Sequence, residues 1–446
     1  MREDVIRRYG ALPAPRYTSY PTAADFSAAI GSAEKARWLE TLDPSAPVSI
    51  YLHIPYCREL CHYCGCATKV AIRDHVLDDY LDCLKAEIDI TANHFGRPPR
   101  ISHLHWGGGT PSIMGYERLR AALDALSRHV RFEPGYEHAI ELDPRGVTKE
   151  LAHDLARLGV NRVSLGVQDL DPDVQRAIGR IQPLEVLENA FAALRASGLD
   201  AINVDLIHGL PKQTVASATA TAQQVVALQP DRVACYGYAH LPAKLKHQRL
   251  IGEADLPDIV ERFAQARAMA AAFEDAGYDT IGIDHFARSN DPLAVAHREA
   301  RLKRNFQGYT DVAVENLIAF GASAISCLAQ GFAQNAANPT DYSSAVREGR
   351  LPVKRGHKLT EDDRLRGAII AELMCAFRID LKRHAPPGAF SDELALLRPM
   401  AADGLTVVSD EVIEMTPEGR PFVRVAAAVF DAFLYRNPSS QFSTAV

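Results

Sequence analysis

The chain has 446 residues, a formal net charge of −7, 47% hydrophobic and 24% charged residues. This is globular composition with room for two or three domains. The mild acidity speaks against non-specific binding to nucleic acid or anionic membrane. The opening Met1-Arg2-Glu3-Asp4-Val5-Ile6-Arg7-Arg8 lacks the apolar core of a secretory signal, and no apolar run approaches a membrane span. Cys83, Cys235, Cys327 and Cys375 are scattered among apolar residues and read as buried thiols of a reducing, cytoplasmic compartment.

Residues 1–47 read as an N-terminal arm. Its segment Arg16-Tyr17-Thr18-Ser19-Tyr20-Pro21-Thr22 is polar and aromatic without helical or strand period. It reads equally as a surface arm packed across the main domain and as a lid over a pocket. From Val48 a β/α alternation begins. Strands are expected at 48–54, 101–106, 137–142, 162–168, 201–207 and 232–238, with a short apolar run at 280–283. The helices between them are expected near 75–94, 116–129, 148–158, 184–196, 215–228 and 259–276. Six such repeats imply right-handed βαβ units and a parallel sheet. The polar residues fall at or just past the strand C-termini, which is the active face of a parallel barrel. The fold class is therefore α/β, a partial (β/α)6 barrel over residues 48–285.

After about residue 285 the alternation stops. Residues 302–310 look loop-like, and Phe320-Gly321-Ala322-Ser323-Ala324-Ile325-Ser326 suits close backbone approach. A helix at 361–377, a hairpin from 405–408 and 412–415, and a last helix at 422–434 give residues 286–446 a mainly helical, winged-helix-like order. That region lacks a basic stripe, so an interaction or lid domain is preferred over DNA binding.

The first strand runs into Cys57-Arg58-Glu59-Leu60-Cys61-His62-Tyr63-Cys64-Gly65-Cys66, which holds four of the eight cysteines. Clustered thiolates select iron–sulfur clusters, zinc or Cu(I). A structural zinc site usually pairs two Cys-x-x-Cys knuckles about 15–20 residues apart, and no such partner exists here. Cys57, Cys61 and Cys64 supply three ligands. On a four-iron cubane that leaves one iron open, as a catalytic site requires. Cys66 would close the site and is taken as a non-ligand. Gly107-Gly108-Gly109-Thr110-Pro111, one strand later, is either a tight turn or a backbone cradle for a ligand. Glu141, Gln168, Arg180 and Asp205 share the strand-end face. Carboxylates there can accept from ribose hydroxyls, and a guanidinium can hold a carboxylate. His53, beside the cysteine loop, is the histidine singled out as a candidate substrate contact.

The cysteine loop resembles that of the radical S-adenosylmethionine (SAM) superfamily. Over nearly the whole chain the sequence is similar to one family within it, the oxygen-independent coproporphyrinogen III oxidases. The resemblance rests on Arg16–Thr22, Tyr51-Leu52-His53-Ile54-Pro55, the loop with its extra Gly65-Cys66, Gly166-Val167-Gln168-Asp169 and the run Asp205 to Thr214. It extends to Tyr238-Ala239-His240-Leu241-Pro242, Asp284-His285-Phe286-Ala287 and Asn305-Phe306-Gln307-Gly308-Tyr309-Thr310. The arm and the last two motifs separate it from the related haem-chaperone proteins, which carry haem and remain the alternative. His208 stands where the family usually has Tyr, and Ala67 where Asn is frequent.

The resemblance implies a [4Fe–4S] cluster on Cys57, Cys61 and Cys64, and two SAM molecules. The first would meet Tyr51, Gly108, Glu141 and Ile325. The second would meet Tyr63, Gly109, Thr110, Gln168, Arg180, Asp205 and Ala239. Tyr51, His53 and Gln307 are the expected catalytic residues, with Gln307 and the arm at the substrate. The implied reaction is oxidative decarboxylation of the ring A and B propionates of coproporphyrinogen III to vinyl groups, giving protoporphyrinogen IX by way of a 5′-deoxyadenosyl radical. An external one-electron donor such as a flavodoxin, no nucleic acid, no membrane span and a monomeric state are the expected partner relations.

Overall fold

The computed structural model of the chain describes residues 1–305, 308–311, 315–434 and 442–445. At its centre are six parallel strands, Pro47–Ile54, Arg100–Gly108, Arg131–Leu142, Arg162–Gln168, Ala201–His208 and Arg232–Gly237, here β1 to β6. They pair in chain order, each with the next. Helices Asp74–Ala92, Gly115–Ser127, Lys149–Arg157, Leu184–Ala196, Val215–Leu228 and Ile259–Asp275 follow the strands in turn. Their starts are fixed locally. Thr148, Thr214 and Asp258 are side-chain N-caps that accept from the first-turn amides Leu151, Ser217 and Glu261. The apolar strand residues form one large core with the inner faces of these helices.

β3 is longer than the 137–142 expected. Pro134-Gly135 sits inside a bulge, and the pairing jumps from Ile101 with Phe132 to His103 with Glu137. The sheet also continues beyond residue 285. Asn316–Phe320 lies parallel to β1 on its outer side. Ile325–Leu328, Gly331–Asn335 and Val353–Lys358 then extend it antiparallel to a 12-stranded, open sheet. These strands escape a pattern reading because they are short, split by Gly321-Ala322-Ser323, and end in the polar edge Val353–Lys358. The arm covers that edge, since Ser27 and Gly356 exchange both backbone hydrogen bonds, at 2.8 and 2.9 Å. On the other side, His285–Arg288 pairs antiparallel with β6 and with Tyr278–Ile281. Lys303–Asn305 and Gly308–Thr310 form a small hairpin where a loop was expected.

A second core joins the two ends of the chain. Val5, Ile6, Tyr9, Tyr17 and Tyr20 of the arm pack with Ile369, Leu373, Phe422 and Phe430. The C-terminal region has the expected helix-then-hairpin order: helix Glu361–Ala376, short helices Ser391–Leu396 and Arg398–Ala402, and the hairpin Thr406–Ser409 with Val412–Met415. The last helix is only Val423–Ala428, shorter than the 422–434 expected. Asp431 ends it locally by accepting from the amides of Phe433 and Leu434. No helix among the described residues is long and apolar enough to cross a membrane.

Candidate active site

The C-terminal ends of the strands enclose a cavity of about 530 Å³. Cys57, Cys61, Cys64 and Cys66 line it together with Tyr63, Gly108, Gly109, Thr110, Glu141, Gln168, Arg180, Asp205 and Ala239. Residues far apart in sequence thus meet at one point because each follows or ends a parallel strand.

The cysteine loop is gripped from several sides. Tyr56–Cys57 pairs with Lys69–Val70 at the loop's base. The His62 amide donates to the Ile178 carbonyl at 2.9 Å. From the turn Lys246–Leu250, the fully buried Gln248 donates to the carbonyls of Tyr63 at 3.0 Å and Ala239 at 3.1 Å, while the His247 ring lies 2.7 Å from the Cys64 carbonyl. Neither Gln248 nor His247 stands out in the sequence, since each is one polar residue in a polar stretch.

The glycine turn is welded to this loop. The amides of Gly109 and Thr110 donate to the carbonyls of Ile54 and Tyr56, both at 2.8 Å. A Cβ at Gly109 would overlap the Tyr56 backbone, and Gly108 has φ +114° with the His53 ring 2.5 Å from where its Cβ would be. His53 and Tyr51 therefore stand behind the turn, buried, with the Tyr51 hydroxyl 3.0 Å from His53 Nδ1. Neither is among the residues lining the cavity. Burial pushes the His53 imidazole down to about 4, so the ring is neutral near pH 7. Ile325 opens on a neighbouring cavity of about 640 Å³, walled by the arm segment Pro15–Ala24 and the sheet. Gln307 lies outside the described residues.

The acidic pair at the cavity floor is held in two different states. Burial opposes the charge of Glu141, but His105 Nε2 at 3.1 Å and the Gly108 amide at 3.0 Å keep it below the usual carboxylate range. Asp205 is pushed up to about 7, first by burial and then by Glu141, while Ser164 Oγ donates to it at 3.2 Å. Arg180 is buried and committed to the protein. It donates to the Gly166 carbonyl at 2.7 Å, to Gln182 at 3.0 Å and to Asp143 at 3.1 Å. Asp143 and Arg145, which line the same wall, were legible only as neighbours of Glu141. Gln168 sits at φ +70°, an uncommon conformation for a side-chain-bearing residue, at the point where β4 ends.

Two family models match the chain, the radical SAM superfamily over residues 51–225 and the HemN C-terminal domain over residues 359–422. The oxygen-independent coproporphyrinogen III oxidase of Bradyrhizobium diazoefficiens is 45% identical over 439 residues, 97% of this chain and 98% of the relative. The chain belongs to the oxygen-independent coproporphyrinogen III oxidase family. The Escherichia coli enzyme of that name is 39% identical over 98% of this chain and 96% of its own. A solved structure described as the E. coli coproporphyrinogen III oxidase (HemN), a radical SAM enzyme, superposes with a TM-score of 0.89 over 94% of this chain and 98% of its own.

Oxidases of this radical SAM family use a [4Fe–4S] cluster and SAM, and the residues present fit both. Each candidate thiol ligand has a polar group within hydrogen-bonding reach of its sulfur. Thr110 Oγ1 lies 3.3 Å from Cys57, Arg180 Nη1 3.5 Å from Cys61, and the Cys66 amide 3.5 Å from Cys64. Hydrogen bonds to the sulfurs are what tune such clusters. A cubane spreads its thiolates over separate irons, so they need not converge. Among the described residues, no three His, Cys, Asp or Glu side chains converge on a point that would hold a single metal ion. Cys66 is exposed and stands in the cavity wall. The Cβ positions of Gly108 and Gly109 point into the protein behind the turn, so the turn presents backbone to the cavity.

Proposed function

We propose that this protein carries out the oxidative decarboxylation of the ring A and ring B propionates of coproporphyrinogen III to vinyl groups, yielding protoporphyrinogen IX in porphyrin and haem biosynthesis. The observation that carries this is the single cavity joining the three-cysteine loop, the bare glycine turn and Asp205, in a chain 45% identical over nearly its whole length to a relative named for that substrate. When bound, the cluster and SAM supply a carbon-centred radical able to take hydrogen from an unactivated C–H.

The chain's own residues position and shield. Cys57, Cys61 and Cys64 would hold the cluster. Gly108 and Glu141 would face the SAM it binds, with Tyr51 and His53 acting from behind the turn. Tyr63, Gly109, Thr110, Gln168, Arg180, Asp205 and Ala239 wall a place for a second SAM. Ile325 and the arm border the 640 Å³ cavity, which falls within the ~300–1,000 Å³ of ligand pockets. That cavity is where we place the substrate. In this reading residues 1–47 act as the lid, 48–285 as the radical-generating barrel and 286–446 as the domain that seats the lid. An external one-electron donor of the flavodoxin type, a monomeric state and a cytoplasmic setting complete the reading.

The test is an anaerobic incubation of reconstituted protein with SAM, a reductant and coproporphyrinogen III, with products separated by chromatography. Protoporphyrinogen IX, carbon dioxide and 5′-deoxyadenosine are expected. SAM cleavage without decarboxylation, or haem carried without turnover, would overturn the assignment.

A further inference from the structure

Beside the cofactor cavity lies a smaller pocket of about 140 Å³ between β6, the helix Ile259–Asp275 and the C-terminal region. Six arginines and two carboxylates line it. Arg267 and Arg420 are exposed at its rim, as is Glu274, which is engaged by Thr280. The inner wall is Arg16, Arg262, Arg304 and Arg424 against the one buried acid, Asp284.

The partners of these arginines are mostly neutral oxygens. Arg16 donates to the Gly237 carbonyl at 2.7 Å. Arg262 donates to the Tyr238 carbonyl at 2.8 Å and reaches Thr444 Oγ1 at 3.4 Å, while its Nε has no partner among the described residues. Arg424 holds the backbone carbonyls of Ala14, Pro15 and Thr444. The Arg304 side chain is 2% exposed. Among the described residues its Nη1 has no hydrogen-bond partner and lies 3.7 Å from Asp284 Oδ1. Asp284 is meanwhile also claimed by His285 at 2.7 Å.

A buried excess of positive charge is costly unless an anion compensates it. Burial, then repulsion from Arg16, pulls Arg262 down to about 10 and Arg424 to about 9, so both remain charged at neutral pH, and neither makes an ion pair among the described residues. The pocket's volume suits a chain end carrying a carboxylate, not a macrocycle. Its position suits one as well. Arg16 lines this pocket, the cofactor cavity and the arm cavity, and Arg304 lines this pocket and the arm cavity.

We propose that the pocket walled by Arg16, Arg262, Arg304 and Arg424 receives a propionate carboxylate that is not decarboxylated, and so fixes which edge of the porphyrinogen is presented to the cofactors. This rests on the substrate proposed above. A planar guanidinium fork suits a carboxylate, and no acid other than Asp284 competes for it on the inner wall.

The test measures anaerobic binding of coproporphyrin III, the oxidised and non-reacting congener, and of its tetramethyl ester to the cluster-loaded protein, by absorbance titration. The wild-type protein should bind the free acid at least 10-fold more tightly than the ester. Arg262→Gln should weaken the acid by about 10- to 100-fold, the loss of one charge-assisted contact, and leave the ester and SAM affinity unchanged. Arg262→Lys should recover part of the loss. Equal affinity of the wild-type protein for acid and ester would overturn the proposal even if the variant did not fold. Unchanged acid binding by a folded Arg262→Gln, or equal loss for acid and ester, would overturn it too. Failure of the function itself reads out separately, as wild-type protein that does not convert coproporphyrinogen III.

Discussion

Cys61 is the most buried of the three candidate ligands, and Arg180 points at its sulfur from 3.5 Å. Cys61→Ala should abolish both the brown colour of the reconstituted protein and its turnover; a coloured, active variant would refute the ligand assignment. Cys66→Ala should retain the colour, because Cys66 contributes its amide to Cys64 and not a fourth thiolate. Asp205 offers a second residue-scale expectation. With its carboxyl pushed up to about 7, the folded apo-protein binds a proton there that the unfolded chain, near 3.9, has released. The resulting stability is present at low pH and is lost as pH rises through about 7. Asp205→Asn should therefore stabilise the apo-protein at pH 8 by on the order of 4 kcal/mol, read as a higher melting temperature, and change little at pH 4. SAM binding should move oppositely. Wild-type affinity should increase through pH 7 as Asp205 becomes an acceptor, and the Asn variant should titrate flat there, as measured by calorimetry.

At the scale of elements, the turn Lys246–Leu250 serves as a clamp. Gln248 ties together the cysteine loop and the β6 exit through three backbone groups: the carbonyls of Tyr63 and Ala239 and the amide of Leu241. Gln248→Ala leaves those part-buried groups unpaired, at about 1–3 kcal/mol each where water cannot enter. Cluster content after anaerobic gel filtration should fall well below the wild-type value while the barrel's circular dichroism is unchanged. Wild-type iron and sulfide content in this variant would show that the loop stands without its clamp. Such a clamp is invisible to pattern reading, because a lone Gln in Lys244-Leu245-Lys246-His247-Gln248-Arg249 has no period and no motif. The six barrel strands were legible for the opposite reason: each is a β-branched or apolar run set between long amphipathic helices.

Across the whole molecule, the legible part is the part built from repeats. The barrel and the convergence of Cys57, Gly109, Glu141, Gln168 and Asp205 follow from where each residue falls on its strand. What stayed hidden depends on partners distant in sequence. The outer strands between residues 316 and 358 are defined by pairing with β1 and with one another. The basic pocket is assembled from an arm residue, a barrel helix, a hairpin and the C-terminal region, and no single stretch announces it. The arm's own docking belongs to this class. Tyr17 is buried, and its hydroxyl donates to Asp431 at 3.1 Å across the chain. Tyr17→Ala should cost about 3–5 kcal/mol locally. Limited proteolysis should then remove the arm rapidly, with cluster content preserved; a protease-resistant arm would show that it is anchored elsewhere.

That shared core has a consequence for biogenesis. The arm leaves the ribosome early, but Tyr9, Tyr17 and Tyr20 pack against residues from Ile369 onward, which emerge only near the end of synthesis. Domains generally fold as units while the chain grows. The barrel and its cysteine loop can thus form before the arm has its full seat. If residues 1–47 act as the lid proposed above, iron and sulfide would reach the cysteine loop before the arm closes over it.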